Sequence, residues 1–243
     1  MSLHLLQSPS PNYDARKDGK KPTLVILHYT GMTEADEARQ RLCDAASKVS
    51  AHYLIERGGQ IWQLVAESER AWHAGVGAWQ AETDINSASI GIEMVNRGHQ
   101  WGYQTFPDQQ IEAAIELLRD LQQRHQIPAG NILGHSDVAP QRKEDPGEYF
   151  PWQKLATASL GLWPTTVISD DRHMDYGEAR RLLRAIGYDC VATGEYDLPL
   201  RRVLLAFQRH WLPHHLSGLA DKPTASLLLA VAEAYQMSRN VTY

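Results

Sequence analysis

The stretch "KPTLVILHYT", Lys21 to Thr30, decides the fold class. It is a short apolar run entered through Pro22, and its β-branched residues predict a buried strand that ends at His28. Three further segments give similar signals. We expect a hairpin over 50–65, with its turn at Arg57–Gln60, a strand over Ser87–Asn96, and a last strand in "NILGHSD", 131–137.

Helical patterns lie between these strands. "TEADEARQRLCDAASK", 33–48, predicts a helix with Thr33 as its N-cap, and "PDQQIEAAIELLRDLQQRHQI", 107–127, predicts a long amphipathic helix that starts at Pro107 and Asp108. Strands and helices therefore alternate along the chain. This alternation predicts an α/β domain with a mixed central sheet flanked by helices.

The last third of the chain has a different pattern. "LWPTTVISDD", 162–171, shows no periodicity, and three helical patterns follow it, over 176–187, 197–211 and 221–237. Gly187 is a C-terminal stop, and Asp197 is a candidate N-cap. The sequence thus predicts an α/β domain over 1–161, a linker over 162–172, and a small three-helix domain over 173–243.

Composition excludes several classes of partner. A net charge of −5 and a pI near 6.1 argue against nucleic-acid binding. No apolar run approaches the roughly 18 residues that a membrane helix requires. The N-terminus lacks the apolar core of a signal peptide, so we expect a cytoplasmic protein if the chain is complete, and an envelope or periplasmic one if a signal segment was removed.

Two histidines follow predicted strands. If the strands that end near His28 and His135 are neighbours, the two imidazoles meet at one sheet edge, where α/β proteins build sites. A catalytic zinc ion usually takes three protein ligands, and either Asp145 or Asp137 could supply the third. Two isolated histidines at strand ends are more often structural, so these residues alone leave the alternative open.

Five ordered motifs between Leu24 and Trp152 carry a family resemblance. "LVILHYTGM", "SAHYLI", "AWHAG", "SIGIEMVN" and "GHSDVAPQRKEDPG" resemble the zinc-dependent N-acetylmuramoyl-L-alanine amidases of type 2. The resemblance implies that the zinc ligands are His28, His135 and Asp145. It also implies that Glu93 is the catalytic carboxylate and Lys143 the catalytic lysine.

These residue types suit the chemistry of amide hydrolysis. Zinc yields hydroxide near neutral pH, a carboxylate transfers protons, and an ammonium group stabilises an oxyanion. In extended backbone Lys143 and Asp145 would face the same side, with Glu144 turned away. His73 is expected to line the substrate cleft, with packing beside Trp72 as the alternative.

Neither His52 nor the histidines between residues 210 and 215 are expected to bind a metal ion. His52 is expected to be a supporting residue. The histidines of "HWLPHH", 210–215, are expected to be a chance surface cluster.

The C-terminal segment resembles a second family. From Tyr176 to Tyr235 it is similar to the type 1 peptidoglycan-binding domain, through "AFQR", Gly218, Asp221 and Thr224. Both resemblances imply peptidoglycan or its muropeptide fragments as the partner. We therefore predict hydrolysis of the amide between N-acetylmuramic acid and L-alanine. The alternatives are a non-catalytic peptidoglycan-recognition protein and a zinc peptidase that cuts the stem peptide.

Overall fold

One mixed sheet organises the protein in a computed structural model that describes residues 3–165, 174–191 and 194–240. The strands in this part of the chain are β1 (Leu5–Gln7), β2 (Tyr13–Ala15), β3 (Leu24–Tyr29), β4 (Tyr53–Ile55), β5 (Ile61–Gln63), β6 (Glu69–Ala71), β7 (Ser89–Met94) and β8 (Ile132–Gly134). Six of them form the central sheet in the order β1-β5-β4-β7-β3-β8. Within this sheet β4 and β5 pair with each other in antiparallel orientation, and the other four pairings are parallel. Strands β2 and β6 form a separate antiparallel pair.

Strand β3 lies inside this sheet, hydrogen-bonded to β7 on one side and β8 on the other. Leu24 and Ile26 pack into one hydrophobic cluster, and Val25 and Leu27 pack into another on the opposite face. A strand buried on both faces needs apolar residues at every position, which explains the unbroken "LVIL" run. By alternation, His28 continues the face of Leu24 and Ile26.

Helices lie on both faces of the central sheet, as predicted. They are α1 (Ala35–Cys43), α2 (Ile85–Ala88), α3 (Asp108–His125), α4 (His135–Val138), α5 (Trp152–Thr157), α6 (Tyr176–Ile186), α7 (Leu198–Trp211) and α8 (Lys222–Asn240), together with three 3-10 turns at Lys17–Gly19, His99–Trp101 and Ala129–Asn131. The buried residues of α3 and α5 join the cluster of Val25 and Leu27. The mixed α/β architecture expected from the sequence is confirmed.

Three local predictions were wrong. Helix α1 begins at Ala35 with Glu34 as its N-cap, so Thr33 is not the cap. Ser87 belongs to the short helix α2, because the Asp84 side chain accepts from the Ser87 amide and caps that turn. His135 begins helix α4 instead of ending a strand. There the Asp137 carboxylate accepts from the Gly134 amide, which closes a local turn in place of further strand pairing.

The three predicted C-terminal helices are present. Asp175 and Asp197 cap α6 and α7, and Gly187 ends α6. Their buried apolar residues belong to the same hydrophobic cluster as Leu24 and Ile26 of the sheet. The division at 162–172 stays a prediction, and residues 166–172 of that segment lie outside the described residues.

Among the described residues, no helix has both the length and the apolar character needed to cross a bilayer.

Candidate metal centre and active site

Three side chains converge above the ends of β3 and β8. His28 comes from β3, His135 from the start of α4, and Asp145 from the loop that follows. The two Nδ1 atoms lie 2.9 Å apart, and each lies 3.0 Å from Asp145 Oδ2. All three residues are buried, and they form the one group of metal-ligating side chains found in the described residues. The parallel pairing of β3 with β8 brings the two histidines together.

The hydrogen bonds of His135 determine its tautomer. Its Nε2 lies 2.9 Å from the carbonyl oxygen of Ala74, which can only accept. Nε2 therefore carries the hydrogen, and in the neutral ring Nδ1 presents a lone pair. A backbone carbonyl on the outer nitrogen is a common support for a metal-ligating histidine.

A longer chain of hydrogen bonds sets the tautomer of His28. The Ser89 hydroxyl donates to the Ile85 carbonyl, so its oxygen is left to accept from His73 Nε2, 3.2 Å away. Burial, together with the neighbouring His28, holds the pKa of His73 well below its usual range, so the ring is neutral. Its Nδ1 then accepts from His28 Nε2 at 3.0 Å. His28 consequently also presents a lone pair at Nδ1.

The electrostatics of the three groups call for a cation. Burial, with His135 alongside, lowers the pKa of His28 to about 4, so its ring is neutral at neutral pH. Burial alone would raise the pKa of Asp145, but His135 and His28 outweigh it and hold that pKa well below its usual range. Two ring nitrogens and one carboxylate oxygen thus lie about 3 Å from one another. This donor set fits a metal ion bound between them.

Glu93 stands beside His28 on the sheet. It occupies the position on β7 directly opposite His28 in the register. Its Oε2 atom is buried and has no hydrogen-bond partner among the described residues. Burial and the nearby Asp145 raise the pKa of Glu93 to about 8. A carboxyl group with such a pKa can both accept and donate a proton near neutral pH.

A cleft of about 450 Å³ opens above these residues. Lys143 lines it together with Glu93 and the three candidate ligands. The Lys143 charge opposes protonation of His28 and lowers the pKa of Glu93, which places it near both. Glu144 also lines the cleft, where its carboxylate lies 3.6 Å from His99 and 3.4 Å from Arg209.

The other histidines singled out in the sequence take different places. His73 lines the cleft and contacts His28. His52 is buried beneath it, where its Nδ1 accepts from the Gly91 amide. His210 is buried on α7, so the surface assignment of the 210–215 cluster was wrong for that residue. Within the described residues no metal-ligating group includes any of these histidines.

Sequence reasoning missed several supporting groups. The Ala74 carbonyl and the Ser89 hydroxyl gave no signal, because backbone acceptors and strand serines are common everywhere. Asp137, weighed as a ligand, directs its carboxylate to Gly134, Tyr188 and His210 instead of toward the cleft. The four residues "GHSD", 134–137, with an acidic residue three positions after Gly134, could have indicated a capped turn at the end of the last strand.

Comparison with known proteins gives one family. Residues 18–148 match the family model described as N-acetylmuramoyl-L-alanine amidase. The N-acetylmuramoyl-L-alanine amidase AmiD of Escherichia coli is 38% identical over 233 residues, covering 87% of this chain and 83% of AmiD. The 1,6-anhydro-N-acetylmuramyl-L-alanine amidase AmpD of Enterobacter cloacae is 36% identical over 166 residues, covering 60% of this chain and 86% of AmpD.

Two solved structures superpose on most of this chain. AmiD from E. coli, in complex with anhydro-N-acetylmuramic acid-L-Ala-D-γ-Glu-L-Lys, superposes with a TM-score of 0.81 at 36% identity, covering 91% of this chain and 93% of the other. AmpDh3 from Pseudomonas aeruginosa, in complex with anhydromuramic pentapeptide, gives a TM-score of 0.81 at 33% identity, covering 90% and 94%. The similarity therefore includes the C-terminal helices as well as the sheet.

Proposed function

Because the chain belongs to the N-acetylmuramoyl-L-alanine amidase family, we propose that it hydrolyses the amide between N-acetylmuramic acid and L-alanine with a zinc ion held by His28, His135 and Asp145. One observation carries the zinc assignment. The Nδ1 atoms of both imidazoles lie about 3 Å from each other and from a carboxylate oxygen of Asp145. Two nitrogens and one oxygen with room for a fourth ligand are the donor set of catalytic zinc sites.

Glu93 and Lys143, next to the proposed zinc ligands, have different roles in the proposed reaction. A bound zinc ion acidifies water and polarises a carbonyl group. Glu93 takes a proton from the attacking water and delivers it to the leaving nitrogen of L-alanine, for which its pKa of about 8 is suited. Lys143 places its ammonium group where negative charge develops on the carbonyl oxygen.

His73 is proposed to serve both the metal site and the substrate. Its Nδ1 fixes the ring of His28 at 3.0 Å, and the same side chain lines the cleft that would receive the substrate. A hydrogen bond to the outer nitrogen of a metal-ligating histidine orients that ring and raises its basicity.

Muropeptides or peptidoglycan are the proposed substrates. The similar AmiD and AmpDh3 structures each hold an anhydromuramic peptide, which supports this class of ligand for the cleft. The test is incubation of the zinc-loaded chain with soluble anhydro-muropeptides and with purified sacculi, with products identified by mass. Free peptides that begin with L-alanine are expected. Cuts inside the stem peptide would indicate a peptidase instead, and binding without cleavage would indicate a recognition protein.

For the C-terminal helices we propose a peptidoglycan-binding-like domain over residues 173–243, following an amidase domain over 1–161 and a linker over 162–172. Support comes from the resemblance and from apolar side chains that are exposed in this region, at Leu198 on α7 and at Val191 and Leu219 in the connections between the helices. Leu198→Ser should weaken sedimentation with insoluble sacculi while hydrolysis of soluble muropeptides is unchanged. Equal sedimentation of the two proteins would exclude this surface as the binding site.

A further inference from the structure

A buried carboxylate links the C-terminal helices to the turn that carries His135. Asp137 is fully buried and lies two residues after His135 in α4. Its Oδ2 accepts from the Gly134 amide and from His210 Nδ1, each at 2.8 Å, and its Oδ1 accepts from the Tyr188 hydroxyl at 2.7 Å. Two of these three donors come from the C-terminal helical region, and the third belongs to the turn itself.

A backbone hydrogen bond also connects the α4 turn to Asp145, the candidate ligand in the following loop. The Ser136 amide donates to the Asp145 carbonyl at 2.8 Å. Any displacement of the α4 turn therefore moves the backbones of His135 and Asp145 together. We call residues His135–Asp145 the ligand loop.

Helix α7 contacts the ligand loop at further points. Gln141 Nε2 donates to the Pro199 carbonyl at 3.1 Å, and Arg209 pairs with Glu144 at 3.4 Å. The His210 ring is stacked between two indoles, with its centroid 3.8 Å from Trp152 and 3.7 Å from Trp211. This stacking fixes the direction in which His210 Nδ1 donates, so the bond to Asp137 is geometrically defined.

From these contacts we propose that the C-terminal helices are part of the active-site framework, and that Tyr188 and His210, acting through Asp137, are positioning residues for the metal ligands of the ligand loop. This inference rests on the proposed zinc site. It differs from a role in substrate targeting, because it requires the helices even when the substrate is small and soluble. Loss of Tyr188 would leave the buried Oδ1 of Asp137 without this donor, and loss of His210 would leave Oδ2 with the Gly134 amide alone. Either change would loosen the turn.

Two tyrosines of the helical region provide a matched pair for the test. Tyr188 donates to Asp137, and Tyr235 donates to the Gly130 carbonyl at 2.9 Å, so both hydroxyls cross to the amidase part of the chain. Tyr188→Phe and Tyr235→Phe each remove one buried hydroxyl and keep the ring. Thermal unfolding of both variants, and the Zn²⁺ affinity measured by competition with a chromophoric chelator, are compared with the full unmodified chain.

We expect similar losses of Tm in both variants and a roughly tenfold loss of Zn²⁺ affinity in Tyr188→Phe alone, near the lower end for groups that support metal ligands. Equal Zn²⁺ affinities in the two variants would overturn the proposal. Failure of the unmodified chain to bind Zn²⁺ would overturn the proposed function and this inference with it.

His210 gives a second, independent test. His210→Asn retains an N–H donor near the position of Nδ1 and loses the stacking, whereas His210→Phe retains an aromatic ring between the two indoles and loses the donor. Higher Zn²⁺ affinity in the Asn variant than in the Phe variant supports positioning through Asp137. The reverse order would show that His210 acts through packing and would contradict the proposal.

Discussion

Replacement of Glu93 by glutamine should abolish activity and, in the metal-free chain, increase stability at neutral pH. The carboxyl group lies beside Asp145, and its buried Oε2 has no hydrogen-bond partner among the described residues. Glutamine is nearly isosteric but carries no charge and transfers no proton. We expect a loss in kcat of at least about a hundredfold, the scale of general acid–base catalysis.

The effect on stability follows from the pKa of Glu93. The carboxyl group has an ordinary pKa of 4.5, and burial raises it to about 8 in the folded chain. Between these values the folded state holds one more proton than the unfolded state, so stability is lost as the pH rises through this window. Each pH unit is worth about 1.4 kcal/mol, and between about pH 5 and about pH 7 this group should cost the metal-free protein about 2 to 3 kcal/mol.

Urea unfolding at these two pH values measures the effect. Both proteins are treated with a chelator, and the free energies of unfolding of the original chain and of Glu93→Gln are compared at each pH. Other titrating groups contribute equally to both proteins, so the pH dependence of the difference isolates Glu93. The advantage of the variant should grow with pH. A difference that is the same at both pH values would refute the reasoning about burial, and near-normal turnover would move the general base elsewhere.

Substitutions at three further positions test the site. His28→Ala should lose most bound zinc, because a site reduced to two ligands binds far more weakly, and full zinc occupancy by metal analysis would contradict the assignment. Lys143→Ala should lower kcat more than it raises KM, because its charge acts where negative charge develops in the transition state; a rise in KM alone would make it a substrate anchor. His73→Leu should weaken zinc binding roughly tenfold or more, whereas His73→Asn, which keeps an acceptor near Nδ1, should retain more of the affinity. An increase in KM with unchanged zinc affinity would leave His73 only a contact with substrate.

The sequence predicted the elements that have strong internal patterns. Strand β3 is apolar because both of its faces are covered, and α3 has a continuous apolar stripe. Several elements of three or four residues, among them β1, β6 and α2, gave no such signal. A segment of this length has too few positions to show a period, and tertiary contacts determine its conformation.

The sequence also predicted the candidate ligands but not the contacts that orient them. The motifs singled out His28, His135 and Asp145, and the structure brings their ligand atoms together. The ring orientation of His28, however, depends on His73 and Ser89, which are distant in sequence and meet it only because β3 and β7 are paired. The link from Asp137 to His210 joins residues 73 positions apart. Periodicity reports the face on which a residue lies, but not its partner on a distant segment.

One hydrophobic cluster includes residues of the sheet and of the C-terminal helices. The family model ends at residue 148, before these helices. Leu24, Ile26 and Leu133 of the sheet nevertheless belong to the same cluster as Leu183 and Leu204 of the helices. Removal of the helices would leave the rest of this cluster exposed to water, and large exposed apolar patches favour aggregation.

By alternation, His28 follows Leu24 and Ile26 on the face of β3 that contributes to this cluster. A chain cut near Trp163 should therefore lose both its solubility and its zinc affinity. If the truncated chain were folded and bound zinc normally, the helices would be an independent appendage. Their contacts with the ligand loop would then be incidental to the metal site.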